Sequence, residues 1–251
     1  MAANDRILLV CDIDGTLYYP EHGNPGLEEF SAWLEAHRGR VVFAVNSGRS
    51  LDEIAMVAEC GPLPRPDWII SDMGTAISRG FTPDTAEDEW ASLMARDWGR
   101  DEIRDLLSSV PGLREQEAWH QHPAKLSYYL DDDSPAVLER VASICSGWNA
   151  SSGLSCKISS CLGIYLDILP SWGGKGSPVL WLGEKLGIPE TAFVVAGDAG
   201  NDRDMMERGW KTILVANHSE ELADLSSLPG IYLSVSPSAA GVLEYLRKEI
   251  P

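Results

Sequence analysis

The sequence predicts an α/β fold, a parallel sheet core with an inserted α+β domain, and three observations predict it. Ile7–Cys11 is an unbroken apolar run of strand length that ends in two carboxylates, Asp12 and Asp14, followed by a Gly-Thr pair. Residues 41–45 and 192–196 are further runs of the same kind, each leading through a polar turn toward a helical stretch. Strands covered by helices on both faces read as continuous apolar runs rather than alternating ones. Between Gly80 and Pro170 that βα rhythm breaks, with helical and strand-like segments of a different texture. The expected organisation is a core of residues 1–79 and 171–251 around an insert of residues 80–170.

The elements follow in order. After the first strand, residues 18–24 are rich in turn formers, and a helix over 26–37 places Leu27, Phe30, Trp33 and Leu34 on one face. The strand at 41–45 ends in Asn46-Ser47-Gly48-Arg49-Ser50, just before a helix near Leu51. A hydroxyl, a glycine and an arginine beside a helix start offer free donors to an anion. Ser-Gly is also an ordinary turn, and Ser50 suits a helix cap. Gly61 to Pro66 is a stiff connector into a strand at 68–71, and a turn at Met73-Gly74-Thr75 leads to a short continuation at 76–78.

Within the insert, helices are expected over 87–98, 101–110 and 134–147, and strands over 113–122, 125–130, 154–159 and 164–168. The α/β rhythm then resumes with Gly174-Lys175-Gly176-Ser177-Pro178, where Ser177 suits an N-cap and Pro178 the first helical position. The spacing is not that of a phosphate-binding P-loop. The strand at 192–196 runs into Gly197-Asp198-Ala199-Gly200-Asn201-Asp202. Segments at 211–215, 219–225, 231–233 and 238–250 continue as strand, helix, strand and helix.

With 251 residues, 44% of them hydrophobic, the chain has material for one large domain or a core plus an insert. Its 20 basic and 38 acidic side chains leave a net charge of −18, which argues against nucleic acid or an anionic membrane as a partner. An anionic small substrate is still allowed, because a metal and local donors invert the field at one site. The 5 cysteines are odd in number and show no Cys-x-x-Cys spacing, which suits a reducing compartment. The start Met-Ala-Ala-Asn-Asp-Arg has neither region of a signal peptide, so a cytoplasmic protein is expected.

In an open α/β sheet, ligands sit at the carboxyl ends of the strands. Those ends carry Asp12 and Asp14, then Ser47, Lys175, and Asp198 with Asp202. Together these are the parts of phosphoryl transfer: a carboxylate nucleophile, a proton donor, phosphate holders and a metal clamp. A non-enzymatic phospho-accepting receiver domain gathers similar groups, but in about half this length and without an insert.

In order and place, Asp12-Ile-Asp14-Gly-Thr16, Ser47-Gly-Arg, Lys175 and Gly197-Asp198-Ala-Gly-Asn-Asp202 resemble the motifs of the haloacid-dehalogenase-like phosphatases. The insert falls between the second motif and the third, as in members with a large α/β cap on a Rossmann-like core. Within that class, residues 66–71, 125–130, 166–170 and 217–222 resemble sucrose-phosphate phosphatases, with mannosylfructose-phosphate phosphatase a near relative. Ser47 departs from the threonine usual there and keeps the hydroxyl. A phosphomannomutase has a similar cap and is the second enzyme reading.

The resemblance implies Asp12 as nucleophile and Asp14 as general acid and base. Mg²⁺ would be held by Asp12, the Asp14 carbonyl, Asp198 and Asp202, and the phosphoryl group by Ser47, Gly48, Lys175 and Asn201. Arg49 and, from the cap, Lys125, His122 and Tyr128 are expected on the substrate, with Lys125 on the non-phosphorylated ring, far from phosphorus. His120 is either structural or sugar-contacting, and Trp119, Trp148 and Trp172 either stack on sugars or, as is the default for most tryptophans, pack in the core. The substrate is then a sugar phosphate, most naturally a disaccharide phosphate made by an upstream glycosyltransferase.

Overall fold

A computed structural model describes residues 6–61, 63–96, 98–131 and 135–250. The start read as lacking a leader, Pro62 of the connector and the expected helix start at Ser134 lie outside the described residues.

The first four strands are β1 (Ile7–Cys11), β2 (Val41–Asn46), β3 (Trp68–Ser71) and β4 (Ala76–Ser78). Four more belong to the insert: β5 (Leu113–Glu115), β6 (Leu126–Leu130), β7 (Cys156–Cys161) and β8 (Tyr165–Pro170). The last are β9 (Phe193–Gly197), β10 (Lys211–Leu214) and β11 (Ile231–Leu233). The helices are α1 (Leu27–His37), α2 (Leu51–Cys60), α3 (Asp88–Ala95) and α4 (Arg100–Leu107), then α5 (Pro135–Ser152), α6 (Gly176–Leu186), α7 (Arg203–Met206) and α8 (Ser238–Glu249).

The large sheet runs β11-β10-β9-β1-β2-β3-β4, parallel except for β4. β1 is central, with Cys11 level with Val45 of β2 and Ala196 of β9. That register brings Asp12, Ser47 and Asp198 to one edge. Alternation along β1 sends Ile7, Leu9 and Cys11 against Phe30, Ile54 and Val242 of α1, α2 and α8. Leu8 and Val10 face the other way, toward Trp90, Val179 and Leu182 of α3 and α6. Truncating Leu8 or Leu9 to alanine would cost about 2–5 kcal/mol, because each fills a closed space.

The second sheet, β5-β6-β8-β7, is antiparallel throughout. Leu126, Tyr128, Leu130, Leu166 and Ile168 pack on Ile103 and Leu107 of α4 and Val141 and Trp148 of α5. α3, although beyond Gly80, contributes Trp90 and Met94 to the large sheet's cover.

Three expectations change. The strand foreseen over 113–122 stops at Glu115, and Ala118–His120 forms a 3-10 turn. The Gln121 side chain takes over the ladder there, donating to the carbonyls of Gln116 and Ser127 and accepting the Ser127 amide. Ser177 is not the cap of α6: the helix begins at Gly176, whose amide donates to Asp204 at 2.8 Å. The helix foreseen over 219–225 is a 3-10 helix, Glu220–Ser227. Ser50, by contrast, caps α2 in a reciprocal capping box with Glu53. Among the described residues, no helix is long and apolar enough to cross a membrane.

Candidate active site

Lys175 is the hub of the edge where β1 and β9 end. Its side chain is completely buried, and Nζ donates to Asp12 Oδ1 at 2.5 Å and Asp202 Oδ1 at 2.6 Å. Asn46, at the end of β2, fixes the lysine's backbone by donating to its carbonyl at 2.8 Å. Asp202 Oδ2 accepts the amides of Asp198 and Ala199 (2.9 and 3.1 Å), so both its oxygens are engaged. Asp198 Oδ1 accepts the Thr16 hydroxyl at 2.7 Å.

Oxygens of Asp12, Asp198 and Asp202 lie within 4.8 Å of one another. Among the described residues, Asp12 Oδ2 and Asp198 Oδ2 make no hydrogen bond. Burial is the largest influence on Asp12 and pushes its pKa well up, with Lys175 pulling against it. Burial, then the Asp202 charge, raises Asp198 to about 7. Burial would lower Lys175, yet the two carboxylates outweigh it and hold the ammonium charged. One ammonium does not balance these carboxylates in a dry site. Hard oxygen donors with excess negative charge fit a divalent cation.

The Gly15 turn closes over this group. Gly15 has φ of +81°, and a Cβ there would fall 2.2 Å from Asp198 Oδ2, so only glycine fits. Asn217 Nδ2 and Ser238 Oγ both donate to the Gly15 carbonyl, at 2.9 and 2.7 Å. Across the mouth, Asp14 is half exposed, and Arg49 Nε and Nη2 each reach one of its oxygens at 2.7 Å. Ser47 is buried with its Oγ accepting the Arg49 amide at 3.2 Å. Asn201 lies beside Met73, with Oδ1 buried and unpartnered among the described residues.

The family model for sucrose-6F-phosphate phosphohydrolase matches residues 5–248. The chain belongs to the sucrose-6F-phosphate phosphohydrolase family. It is a sugar-phosphate phosphatase, a phosphoric monoester hydrolase. It is 32% identical over 244 residues to mannosylfructose-phosphate phosphatase of Agrobacterium fabrum, covering 96% of this chain and 95% of that one. Sucrose-phosphatase 2 of Nicotiana tabacum is 29% identical over 95% of this chain, which spans 58% of the tobacco protein. The sucrose-phosphatase of Synechocystis, solved with sucrose and phosphate, superposes with a TM-score of 0.87 at 25% identity, covering 97% of both chains. A haloacid-dehalogenase-like hydrolase of Bacillus subtilis, at 20% identity and a TM-score of 0.69 over 100% of this chain and 94% of that one, shares the fold.

In this member of the sucrose-6F-phosphate phosphohydrolase family, Asp12, Lys175, Asp198 and Asp202 converge, with Asp14 and Arg49 paired at the rim. The residues expected of the cap divide. Tyr128 does not face the cleft: it is 3% exposed and packed with the leucines under α4 and α5. Trp148 is likewise inside the cap, whereas Trp119 and Trp172 are exposed. Lys125 is not remote from the segment after β2: Nζ lies 3.3 Å from the Gly48 carbonyl and 3.3 Å from Asp72. His122 Nδ1 accepts the Ala124 amide and sits 3.3 Å from the Thr75 hydroxyl, and burial lowers its pKa. His120 lies 3.7 Å from Glu53 of α2. The opposite face of the cap sheet carries Asp167, accepting the Ser127 hydroxyl at 2.6 Å. Cys11, Cys145, Cys156 and Cys161 are free thiols. Sequence reasoning missed Asn46, Asp72, Asp167 and Asn217; only Asn217 and Asp167 lay in segments carrying the family resemblance.

Proposed function

We propose that this chain hydrolyses a disaccharide phosphate through an aspartyl phosphate, an acyl phosphate formed on Asp12. The observation that carries the reading is the state of the Asp12 carboxylate. One oxygen is held by Lys175, and the other, at the end of the central strand, makes no hydrogen bond among the described residues. Asp12 Oδ2 attacks phosphorus in line, the bond from phosphorus to the sugar oxygen breaks, and Asp14 gives that oxygen a proton. Water then attacks the phosphorus, Asp14 takes its proton, and inorganic phosphate leaves the restored Asp12 carboxylate. Lys175, Ser47, the Gly48 amide and Asn201 hold the equatorial oxygens.

Asp12, the Asp14 carbonyl and Asp198 would hold Mg²⁺, with Asp202 locking Lys175 and the Asp198 turn in place. Mg²⁺ bound there would neutralise phosphate charge as it redistributes. Asp167, Ser127 and Arg49 are the polar groups offered to the sugar. The supplier of such a substrate is a glycosyltransferase that uses a sugar phosphate as acceptor, and a cytoplasmic setting suits both.

Sucrose 6-phosphate and mannosylfructose phosphate are the substrates to favour, the second because that relative matches this chain almost end to end. The test is phosphate release across these two, hexose monophosphates and a hexose bisphosphate. The highest kcat/KM is expected on a disaccharide phosphate. Isomerisation of a hexose phosphate dependent on the bisphosphate would favour the mutase reading instead, and no turnover at all the receiver-like one.

A further inference from the structure

Asp72 and Met73 follow β3 with φ of +52° and +57°, and Gly74 continues at +78°. Glycine adopts this left-handed backbone freely and aspartate tolerates it, but methionine is strained there. The turn is held from two sides. Its amides at Asp72 and Met73 donate to the carbonyls of Arg49 and Ser47, at 2.8 and 3.1 Å, so it buttresses the segment after β2. Its Asp72 carboxylate meets Lys125 of the cap at 3.3 Å, and the same ammonium donates to the Gly48 carbonyl at 3.3 Å. The two charged side chains are only 4% and 8% exposed. Charges so far out of water are tolerated when each has its partner in place, and losing one strands the other. One cap-borne cation therefore bears on two neighbouring core segments at once, and neither Asp72 nor Lys125 touches Asp12.

We propose that Asp72 is a positioning residue: paired with Lys125, it makes the shape of the Ser47–Gly48–Arg49 segment depend on the seating of the cap. The inference rests on the reading of that segment as the phosphate cradle. A phosphate then meets a formed cradle only beneath a seated cap, which ties recognition of phosphate to exclusion of water.

The experiment compares Asp72→Asn, Lys125→Met, Lys125→Arg and the Asp72→Asn/Lys125→Met double variant of the full chain. Substrates are sucrose 6-phosphate and p-nitrophenyl phosphate, assayed well below each Tm. Each single loss should lower kcat/KM about tenfold or more on both substrates alike. Lys125→Arg should stay within about threefold of wild type, and the double variant should be no worse than the poorer single. Hydrogen exchange should quicken in peptides covering residues 47–50 when only the cap residue is changed. Losses confined to the disaccharide phosphate, singles whose effects multiply, or unchanged exchange at 47–50 would overturn the proposal. A wild type inactive on every phosphate ester would instead remove the phosphatase reading, and the exchange measurement then decides the coupling by itself.

Discussion

Arg49 grips Asp14 from the end of β2, one 2.7 Å hydrogen bond to each carboxylate oxygen. Such a bidentate pair fixes the direction of the side chain. In the proposed reaction Asp14 protonates the oxygen that leaves phosphorus, and this contact would hold it for that role. An alkoxide leaving group needs a proton and p-nitrophenolate does not. Asp14→Asn should therefore lose at least about tenfold more kcat/KM on a sugar phosphate than on p-nitrophenyl phosphate, within the ~10²–10⁴-fold range of general acid catalysis. Equal losses would mean that Asp14 does not protonate the leaving oxygen.

Asp12→Asn replaces the proposed attacking oxygen while keeping side-chain size. Turnover should fall at least ~10³-fold, more than a single electrostatic contact supplies, with the far-UV circular dichroism unchanged. Near-normal phosphate release by a variant purified free of contaminating phosphatase would reject Asp12 as nucleophile.

In the proposed metal site, Asp198 is the carboxylate expected to link metal binding to pH. Its folded pKa, raised to about 7, exceeds the ordinary carboxylate value near ~3.9. The folded state thus binds more protons than the unfolded one between these values, and metal-free stability falls as pH rises through that window. A cation at the same carboxylates displaces the proton and lifts the penalty. The rise in Tm on adding Mg²⁺ should be larger at pH 8 than at pH 5. A rise that is equal, or larger at pH 5, contradicts this assignment of the site.

Tyr128→Phe tests the corrected view of the cap. The Tyr128 hydroxyl is buried without a partner among the described residues, and burial raises its pKa to about 12. An unpaired buried hydroxyl costs about 1–3 kcal/mol. Removing it should leave Tm equal or higher and kcat/KM on a disaccharide phosphate within about twofold. A large fall in kcat/KM would return Tyr128 to the sugar site.

Asp167→Asn should do the opposite. Burial raises the Asp167 pKa, with Lys125 pulling it back, and its position beside Ser127 offers an acceptor to sugar hydroxyls. The loss should be roughly tenfold or more on a disaccharide phosphate and slight on p-nitrophenyl phosphate. Equal effects on both would assign it to the architecture of the cap.

Much of the core was legible because its strands are buried on both faces and end in polar turns, as Ile7–Cys11 does before Asp12. Strand ends are also where register gathers distant residues, so Asp198 could be grouped with Asp12, whereas Lys175, at the start of α6, joined them by motif order. The cap was harder to read. Leu126-Ser-Tyr-Tyr-Leu has a period of two that puts Tyr128 with the leucines, while the hydroxyl of a tyrosine suits a sugar equally well. Asp72 and Asn217 act on backbone groups of segments far away in the chain, and no local pattern announces such a contact. Gln121 ends a strand by imitating it with a side chain, which propensity does not register.

The placement of β1 between β2 and β9 has a consequence for synthesis. On the ribosome, β1 gains its first neighbour when β2 emerges, but its other edge stays open until the chain reaches Phe193. Lys175, the counter-charge of Asp12, also arrives late. The nascent amino-terminal part is thus an apolar sheet with a bare edge and an Asp12 still without its counter-charge, and exposed edges of this kind recruit other strands. Fragments ending before β9 should be insoluble rather than partly active, however intact their first motif.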